Sequence, residues 1–190
     1  MLQARGLALV NSSSLQVYAL KPTYIPKPGV LGTYAEYVAV KAEWVAFIPD
    51  AVPLNQAGGI PLVALTVWQA LLSAYPKPSQ RILILTASAG VGTFAVQFAK
   101  HLGLYVGGTS GARNLDFVRS LGTDQVVDYA SGLSRAALRD KYASGDATKF
   151  DIILELFGGE SLEFATAELL HPGGTTAHVR NACSYAATNK

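Results

Sequence analysis

Short apolar runs alternate with amphipathic stretches through most of the chain after residue 80. The runs have the length and apolar character of buried strands, which we predict at 81–86, 105–109, 125–128, 150–156 and 174–179. Between them, apolar residues recur at helical spacing, and we predict helices at 91–102, 114–121, 133–143 and 160–170. Alternation of this kind predicts an α/β fold, a doubly wound parallel sheet with helices on both faces.

The first 80 residues follow a different pattern, with short strands and prolines. Here we predict an irregular start at 1–14, strands at 15–20, 33–40 and 44–48, a proline-rich loop at 21–29, a helical turn at 54–58 and a helix at 61–72. The chain is therefore expected to divide into an irregular segment (1–16), a small β segment (17–55) and an α/β domain (56–190).

The segment 81–114 is the most informative about function. A predicted strand is followed by a turn of small residues, ASAGVG at 87–92, and then by a predicted helix. A pyrophosphate binds at such a helix N-terminus, where unpaired N–H groups and the helix dipole point outward and small side chains allow close approach. Two of the three glycines of the G-x-G-x-x-G motif are alanine here, so the strand–turn–helix context carries the prediction of a Rossmann-type dinucleotide site. The alternative is an ordinary turn whose small residues only serve packing.

The end of the second strand bears on the choice of cofactor. Sites for NAD place an acidic residue there to bind the ribose hydroxyls. This chain has SGARN at 110–114, with no acidic residue. Hydroxyl groups, backbone N–H groups and the guanidinium of Arg113 suit a 2′-phosphate, so NADPH is favoured over NADH. The alternative for Arg113 is a solvated surface residue.

A nucleophile elbow is a rival interpretation of the same turn. The sequence TASAG at 86–90 differs by one residue from G-x-S-x-G, which would make Ser88 an acyl-transfer nucleophile. Asp151 and either His171 or His178 follow in the order of a hydrolase triad. No oxyanion-hole segment is evident upstream, and Thr86 replaces the first glycine of the sharp turn.

Composition excludes several classes. The net charge of the 190-residue chain is +2, which does not indicate a nucleic-acid or membrane-surface partner. The single cysteine, Cys183, excludes an internal disulfide and fits a reducing, cytoplasmic compartment. The three histidines lack metal-ligand spacing, so no metal site is predicted. Prolines, glycines and polar residues interrupt the uncharged stretch 51–75, so no membrane span is predicted.

Several separate runs, in order, resemble one known family. They are GTYAEYVAV at 32–40, PLVALTVWQAL at 61–71, the turn and helix at 87–100, 110–122, VDY at 127–129, 150–160 and HPGG at 171–174. Together they resemble the zinc-free branch of the medium-chain dehydrogenases/reductases, specifically NADPH:quinone oxidoreductases and their plant chloroplast-envelope relatives. The resemblance covers about 17–179.

The resemblance implies an NADPH-dependent hydride transfer to a small quinone or α,β-unsaturated carbonyl, in which the cofactor carries the hard step. It implies that Ala89, Gly90, Val91 and Gly92 hold the pyrophosphate. Ser110 and Arg113 would hold the 2′-phosphate with Tyr129 beside it, and Thr66 would lie near the nicotinamide. For Thr66 a helix threonine bonded to its own backbone stays open, and for Tyr129 an aromatic covering the core. No catalytic acid is assigned.

The chain also departs from the family pattern. Only the last strands of the family's GroES-like substrate domain are expected, as a remnant at 17–55, and the sixth strand that commonly builds the dimer is expected to be missing. We therefore expect impaired activity and leave a homo-oligomer open. A non-catalytic NADP(H)-binding module is the alternative function, and the hydrolase is the third. If the chain comes from a plant, the chloroplast is the alternative compartment.

Overall fold

The computed structural model describes residues 16–19, 38, 40–128, 139, 142, 148–156 and 160–179. The chain forms two compact units, Met1–Leu62 and Val63–Lys190. Several predictions fall outside the described residues: the start at 1–14, the loop at 21–29, most of the strand at 33–40, most of the helix at 133–143, and Tyr129. Within that last helix, Arg139 and Tyr142 are helical as predicted.

The described residues of the first unit include an antiparallel strand pair. Strand β1 (Val17–Ala19) pairs with β2 (Val45–Phe47), and Val17 lies opposite Phe47. A 3-10 turn at Ala42–Trp44 precedes β2, so the predicted strand at 44–48 is shorter than expected. The short helix α1 (Leu54–Ala57) follows. Helix α2 (Ile60–Ser73) starts in this unit with Pro61 in its first turn, where a missing N–H is tolerated.

The second unit is built on the predicted parallel sheet. The strands are β3 (Arg81–Ile84), β4 (Tyr105–Ser110), β5 (Gln125–Asp128), β6 (Phe150–Glu155) and β7 (Leu170–His178). The helices that follow strands are α3 (Gly90–His101), α4 (Leu115–Ser120) and α5 (Glu160–Phe164). The sheet order is β5-β4-β3-β6-β7, and all neighbours are parallel. This confirms the α/β, Rossmann-type fold class.

Strand order reverses between β3 and β6, because the chain builds outward from β3 to β5 and then returns to β3's other side. Alternate residues of β3 enter two apolar cores. Ile82 and Ile84 pack on one face with residues of α2, α3 and α4. Leu83 and Leu85 pack on the other face with Phe150 and Leu169. In sheets of this kind the crevice at the reversal, outside the carboxyl ends of the strands, is where ligands bind.

Arg81 ties the amino-terminal ends of the strands together. Its guanidinium lies 3.9 Å from the ring centroid of Tyr105 and 5.3 Å from that of Phe150, at cation–π distance. The Arg81 side chain also donates to the carbonyl of Lys149 (3.1 Å), and the Arg81 backbone N–H donates to the carboxylate of Asp151 (2.8 Å). This arrangement, the Arg81 clamp, joins the first residues of β3, β4 and β6.

Among the described residues of the second unit, three predicted boundaries were wrong by two residues or more. Strand β3 ends at Ile84 rather than 86, because the chain turns sharply there. The helix predicted at 160–170 is α-helical only to Phe164 and continues as a π-helical segment, Ala165–Leu169. Strand β7 begins at Leu170, before the predicted start at 174; Pro172 is accommodated because β7 is an edge strand of the described sheet and the register shifts opposite Phe150.

Candidate dinucleotide-binding site

The turn after β3 is fastened to both neighbouring strands at the strand-order reversal. The N–H of Leu85 donates to the carbonyl of Leu154 (3.1 Å). On the other side, the N–H of Thr86 donates to Thr109 Oγ1 (3.0 Å) and that of Ala87 donates to the Thr109 carbonyl (2.8 Å). Thr109 therefore holds the turn in place, a role that sequence reasoning missed because it depends on the pairing of β3 with β4.

Thr86 carries the sharp bend of this turn. Its φ is +63°, in the left-handed region that favours glycine and that β-branched residues rarely adopt. In the G-x-S-x-G elbow the nucleophilic serine sits on the sharp, strained turn itself. Here Ser88 is not among the described non-glycine residues with positive φ, so the geometry differs from that of an elbow.

Gly92 allows α3 to pack directly on the turn. A Cβ at this position would clash with the carbonyl oxygen of Thr86 and lie 2.8 Å from the carbonyl carbon and the Cα of Ala87. Gly92 is buried. The position therefore requires glycine for close helix–strand packing, as expected for the third glycine of a dinucleotide turn.

The first turn of α3 presents an open, uncharged N-terminus. Ala89 is the N-cap residue, with φ −73° and ψ 162°, and it has no side-chain capping bond. The first intrahelical bond runs from the Thr93 N–H to the Ala89 carbonyl (2.9 Å), so the N–H groups of Gly90, Val91 and Gly92 precede it. A Cβ on Gly90 would meet nothing within 4 Å, and the first turn has no acidic residue. Backbone donors in open space are suited to an anion.

The end of β4 places Ser110 and Arg113 at the same edge of the sheet. Ser110 is fully buried, and its hydroxyl donates to the carbonyl of Gly111 over a long 3.3 Å. Arg113 is exposed in the 3-10 turn Ala112–Asn114. Within the described part of the chain its guanidinium makes no ion pair or hydrogen bond. Arg113 is therefore exposed to an anionic ligand, whereas Ser110 is buried at the end of β4.

Two acidic residues stand at this edge that the sequence analysis did not select. Asp128, the last residue of β5, is the register partner of Ser110. Glu155, the last residue of β6, is buried and is the register partner of His178. Neither pairing has a sequence signal, because the partners are 18 and 23 residues apart and only the register brings them together.

The remaining predicted residues lie elsewhere. Thr66 is half-buried on α2, one residue before Val67, which is fully buried in the core shared with Ile82. Of the proposed site residues, Ala89 to Gly92, Ser110 and Arg113 are thus brought to the carboxyl edge of the sheet, and Thr66 belongs to the helix that packs on one face.

The hydrolase residues are not brought together. Asp151 and His171 lie at the starts of β6 and β7, the amino-terminal edge, where Asp151 accepts the Arg81 N–H. Ser88 lies beyond the carboxyl end of β3. Only His178 shares that edge. The triad of Ser88 with Asp151 is therefore wrong, since the two lie at opposite edges of one sheet.

The sequence predicts neither a metal site nor a membrane span in this chain. No group of three or more His, Cys, Asp or Glu within the described ranges is placed to hold a metal ion. No described helix is long and apolar enough to cross a membrane.

Comparison with known proteins agrees with the fold. The sequence model of the family described as Zinc-binding dehydrogenase matches residues 90–182. The chain is 37% identical over 162 residues to the mitochondrial NAD(P)H oxidoreductase RTN4IP1 of Danio rerio, an alignment that covers 83% of this chain and 39% of the relative. It is 43% identical over 104 residues to the chloroplastic quinone-oxidoreductase homolog of Spinacia oleracea, covering 52% of this chain and 32% of the relative.

A solved structure agrees as well. The quinone oxidoreductase of Thermus thermophilus, whose complex with NADPH is also known, superposes with a TM-score of 0.63 at 28% identity, covering 77% of this chain and 46% of that one. The chain thus spans less than half the length of these relatives. The names of the two sequence relatives place them in the mitochondrion and the chloroplast, so the cytoplasmic prediction is not confirmed.

Proposed function

Because this chain belongs to the zinc-independent, quinone-oxidoreductase-like branch of the medium-chain dehydrogenases/reductases, we propose that it binds NADPH and passes a hydride to a small quinone or α,β-unsaturated carbonyl. The observation that carries the proposal is the turn between β3 and α3. It lies at the strand-order reversal, its third glycine position requires glycine, and the helix N-terminus that follows is open.

The chain's own residues would bind and orient the dinucleotide. The backbone N–H groups of Gly90, Val91 and Gly92 would donate to the pyrophosphate, and the absence of a side chain on Gly90 leaves room for it. The exposed Arg113 would pair with the 2′-phosphate at the end of β4, where Ser110 is buried. Tyr129 and Thr66 keep the roles that the family resemblance implies. When bound, the nicotinamide supplies the hydride.

The binding step can be tested with Ala89→Val. Ala89 occupies the second glycine position of the motif, where the pyrophosphate approaches the backbone, and its extended φ and ψ suit a β-branched residue. We expect the variant to fold and to bind NADPH about ten- to a hundredfold more weakly, because the added methyl groups block the approach. Titration by nicotinamide fluorescence, with NADH in parallel, gives the affinities.

Ser88→Ala is the matched control, one residue away in the same turn. Its affinity for NADPH should equal that of the wild type, and any residual ester hydrolysis should also be unchanged. Loss of a hydrolase activity in Ser88→Ala would restore the hydrolase function and refute ours. Equal NADPH affinity in wild type and Ala89→Val, with both shown to be folded, would refute the pyrophosphate position.

A non-catalytic NADP(H)-binding module is the alternative. It is distinguished by incubating the chain with NADPH and a quinone or an enone and following nicotinamide absorbance. Saturable binding with turnover supports the reductase, and saturable binding without turnover on either substrate class supports the module.

A further inference from the structure

Asp128 stands one strand away from the position where a bound dinucleotide of this fold places its adenosine ribose. Strands β4 and β5 are parallel neighbours, and the register pairs Ser110 with Asp128. Partners in such a pair lie about 4.8 Å apart with side chains on the same face. In this fold the residue at the end of the second strand meets the ribose hydroxyls. The carboxylate of Asp128 is therefore one strand away from the position that an acidic residue occupies in NAD sites.

The surroundings of Asp128 fit a ligand contact. It is half-buried, and Val126, two residues earlier on the same face, is buried in the core under α4. Asp128 therefore continues that face past the end of the core, to the edge where the pyrophosphate turn lies. Arg113 stands exposed at this edge. The expected ribose position thus has one cation nearby, Arg113 from the turn after β4, and one anion, Asp128 from β5.

We infer that Asp128 supplies, from the neighbouring strand, the acidic group that β4 lacks, so that the site accepts NADH as well as NADPH. Its carboxylate accepts hydrogen bonds from the ribose hydroxyls of NADH and repels the 2′-phosphate of NADPH, while Arg113 attracts that phosphate. Asp128 is then the specificity-determining residue of this site. The inference rests on the proposed dinucleotide binding.

The size of the effect follows from the charges. A 2′-phosphate carries a charge near −2. If it lies between one and two strand spacings away, at about 7 Å, its repulsion by one carboxylate in a nearly aqueous environment weakens binding about five- to tenfold. A charge-assisted hydrogen bond to the ribose strengthens NADH binding by a similar factor. Removing the carboxylate should therefore move the two affinities in opposite directions.

The test compares wild type with Asp128→Asn, which removes the charge and keeps the shape. Dissociation constants for NADPH and NADH are measured by nicotinamide fluorescence. We expect NADPH to bind about five- to tenfold more tightly and NADH to bind more weakly, so the ratio of the two constants changes at least about tenfold. Glu163→Gln, an exposed residue of α5, is the matched control with the same change in net charge, and its ratio should equal that of the wild type.

The outcomes separate the inference from the proposed function. Wild type that binds neither dinucleotide refutes both. If wild type binds NADPH but the ratio of the two dissociation constants is the same in Asp128→Asn, the inference alone is refuted. Weaker NADPH binding by Asp128→Asn also refutes it, because Asp128 would then only position Arg113. If Asp128→Asn fails to fold, wild type is titrated with 2′,5′-ADP and 5′-ADP. The inference expects a preference for 2′,5′-ADP below about tenfold, and a preference above about a hundredfold overturns it.

Discussion

Replacing Gly92 by alanine should damage this domain more than any other single methyl group added to the turn. The new Cβ would clash with the carbonyl oxygen of Thr86 and lie 2.8 Å from two backbone atoms of Ala87. Overpacking a rigid core costs about 1–3 kcal/mol. Backbone atoms held by Thr109 cannot rotate away as a side chain would, so we expect about 3 kcal/mol, a large part of a typical domain stability.

The assay is urea unfolding followed by circular dichroism, with Gly90→Ala as the matched control. The same methyl group at Gly90 meets nothing within 4 Å, and φ there is not positive. Gly90→Ala should be neutral or more stable by about 0.5 kcal/mol, because alanine restricts the unfolded chain. A Gly92→Ala midpoint equal to that of wild type, or equal losses in both variants, would refute the packing argument. NADPH affinity of the folded Gly90→Ala protein then reports the space that the pyrophosphate needs.

Three further predictions concern stability. Thr86→Gly should raise the thermal midpoint, because relief of a left-handed φ is worth about 1–2 kcal/mol and exceeds the entropic cost of glycine; a lower midpoint would contradict the strain. Tyr142→Phe should leave the free energy of unfolding, measured in urea, unchanged or raise it by about 1 kcal/mol. The Tyr142 hydroxyl is buried, which raises its pKa, and it has no hydrogen-bond partner among the described residues. A loss of more than about 1 kcal/mol would reveal such a partner. Burial pushes the pKa of Asp124 upward, but the Val106 N–H and Lys100 outweigh it and hold this pKa below its usual range. The carboxylate therefore stabilises the fold above about pH 4 and loses that effect as the pH falls through its folded pKa. The difference in unfolding free energy between wild type and Asp124→Asn should narrow between about pH 7 and pH 3. A constant difference would contradict this role of Asp124.

The βα alternation was predictable because its signals are local. Apolar runs of strand length and helical spacing lie within single elements, and glycine after α4 marks its end: Gly122 has φ +104°, as a helix stop requires. The small-residue turn was recognisable for the same reason. Gly92 is kept where close packing demands it, and the alanines at 87 and 89 are small enough for the remaining positions.

The features that could not be predicted from the sequence depend on which residues face each other on neighbouring strands. Thr109 fastens the turn only because β3 and β4 pair as they do, and Asp128 lies at the carboxyl edge beside Ser110 only because of the register between β4 and β5. The early start of β7 has a similar origin. His171 to Gly174 has the composition of a turn, yet it lies within β7, because the residues on either side of it, Leu170 and Thr175, pair with β6. Local propensity was overridden by tertiary pairing in that segment.

Because of the Arg81 clamp, we expect the two edges of this sheet to tolerate amino-acid substitutions differently. The stabilising contacts of Arg81 lie where the strands begin, while the residues proposed to bind the dinucleotide lie where they end. An altered residue at the second edge leaves the first edge's contacts intact. Under the proposed roles, exchanging Asp128 or Arg113 would change which cofactor is used, while the contacts of Arg81 at the opposite edge would keep holding the strands together.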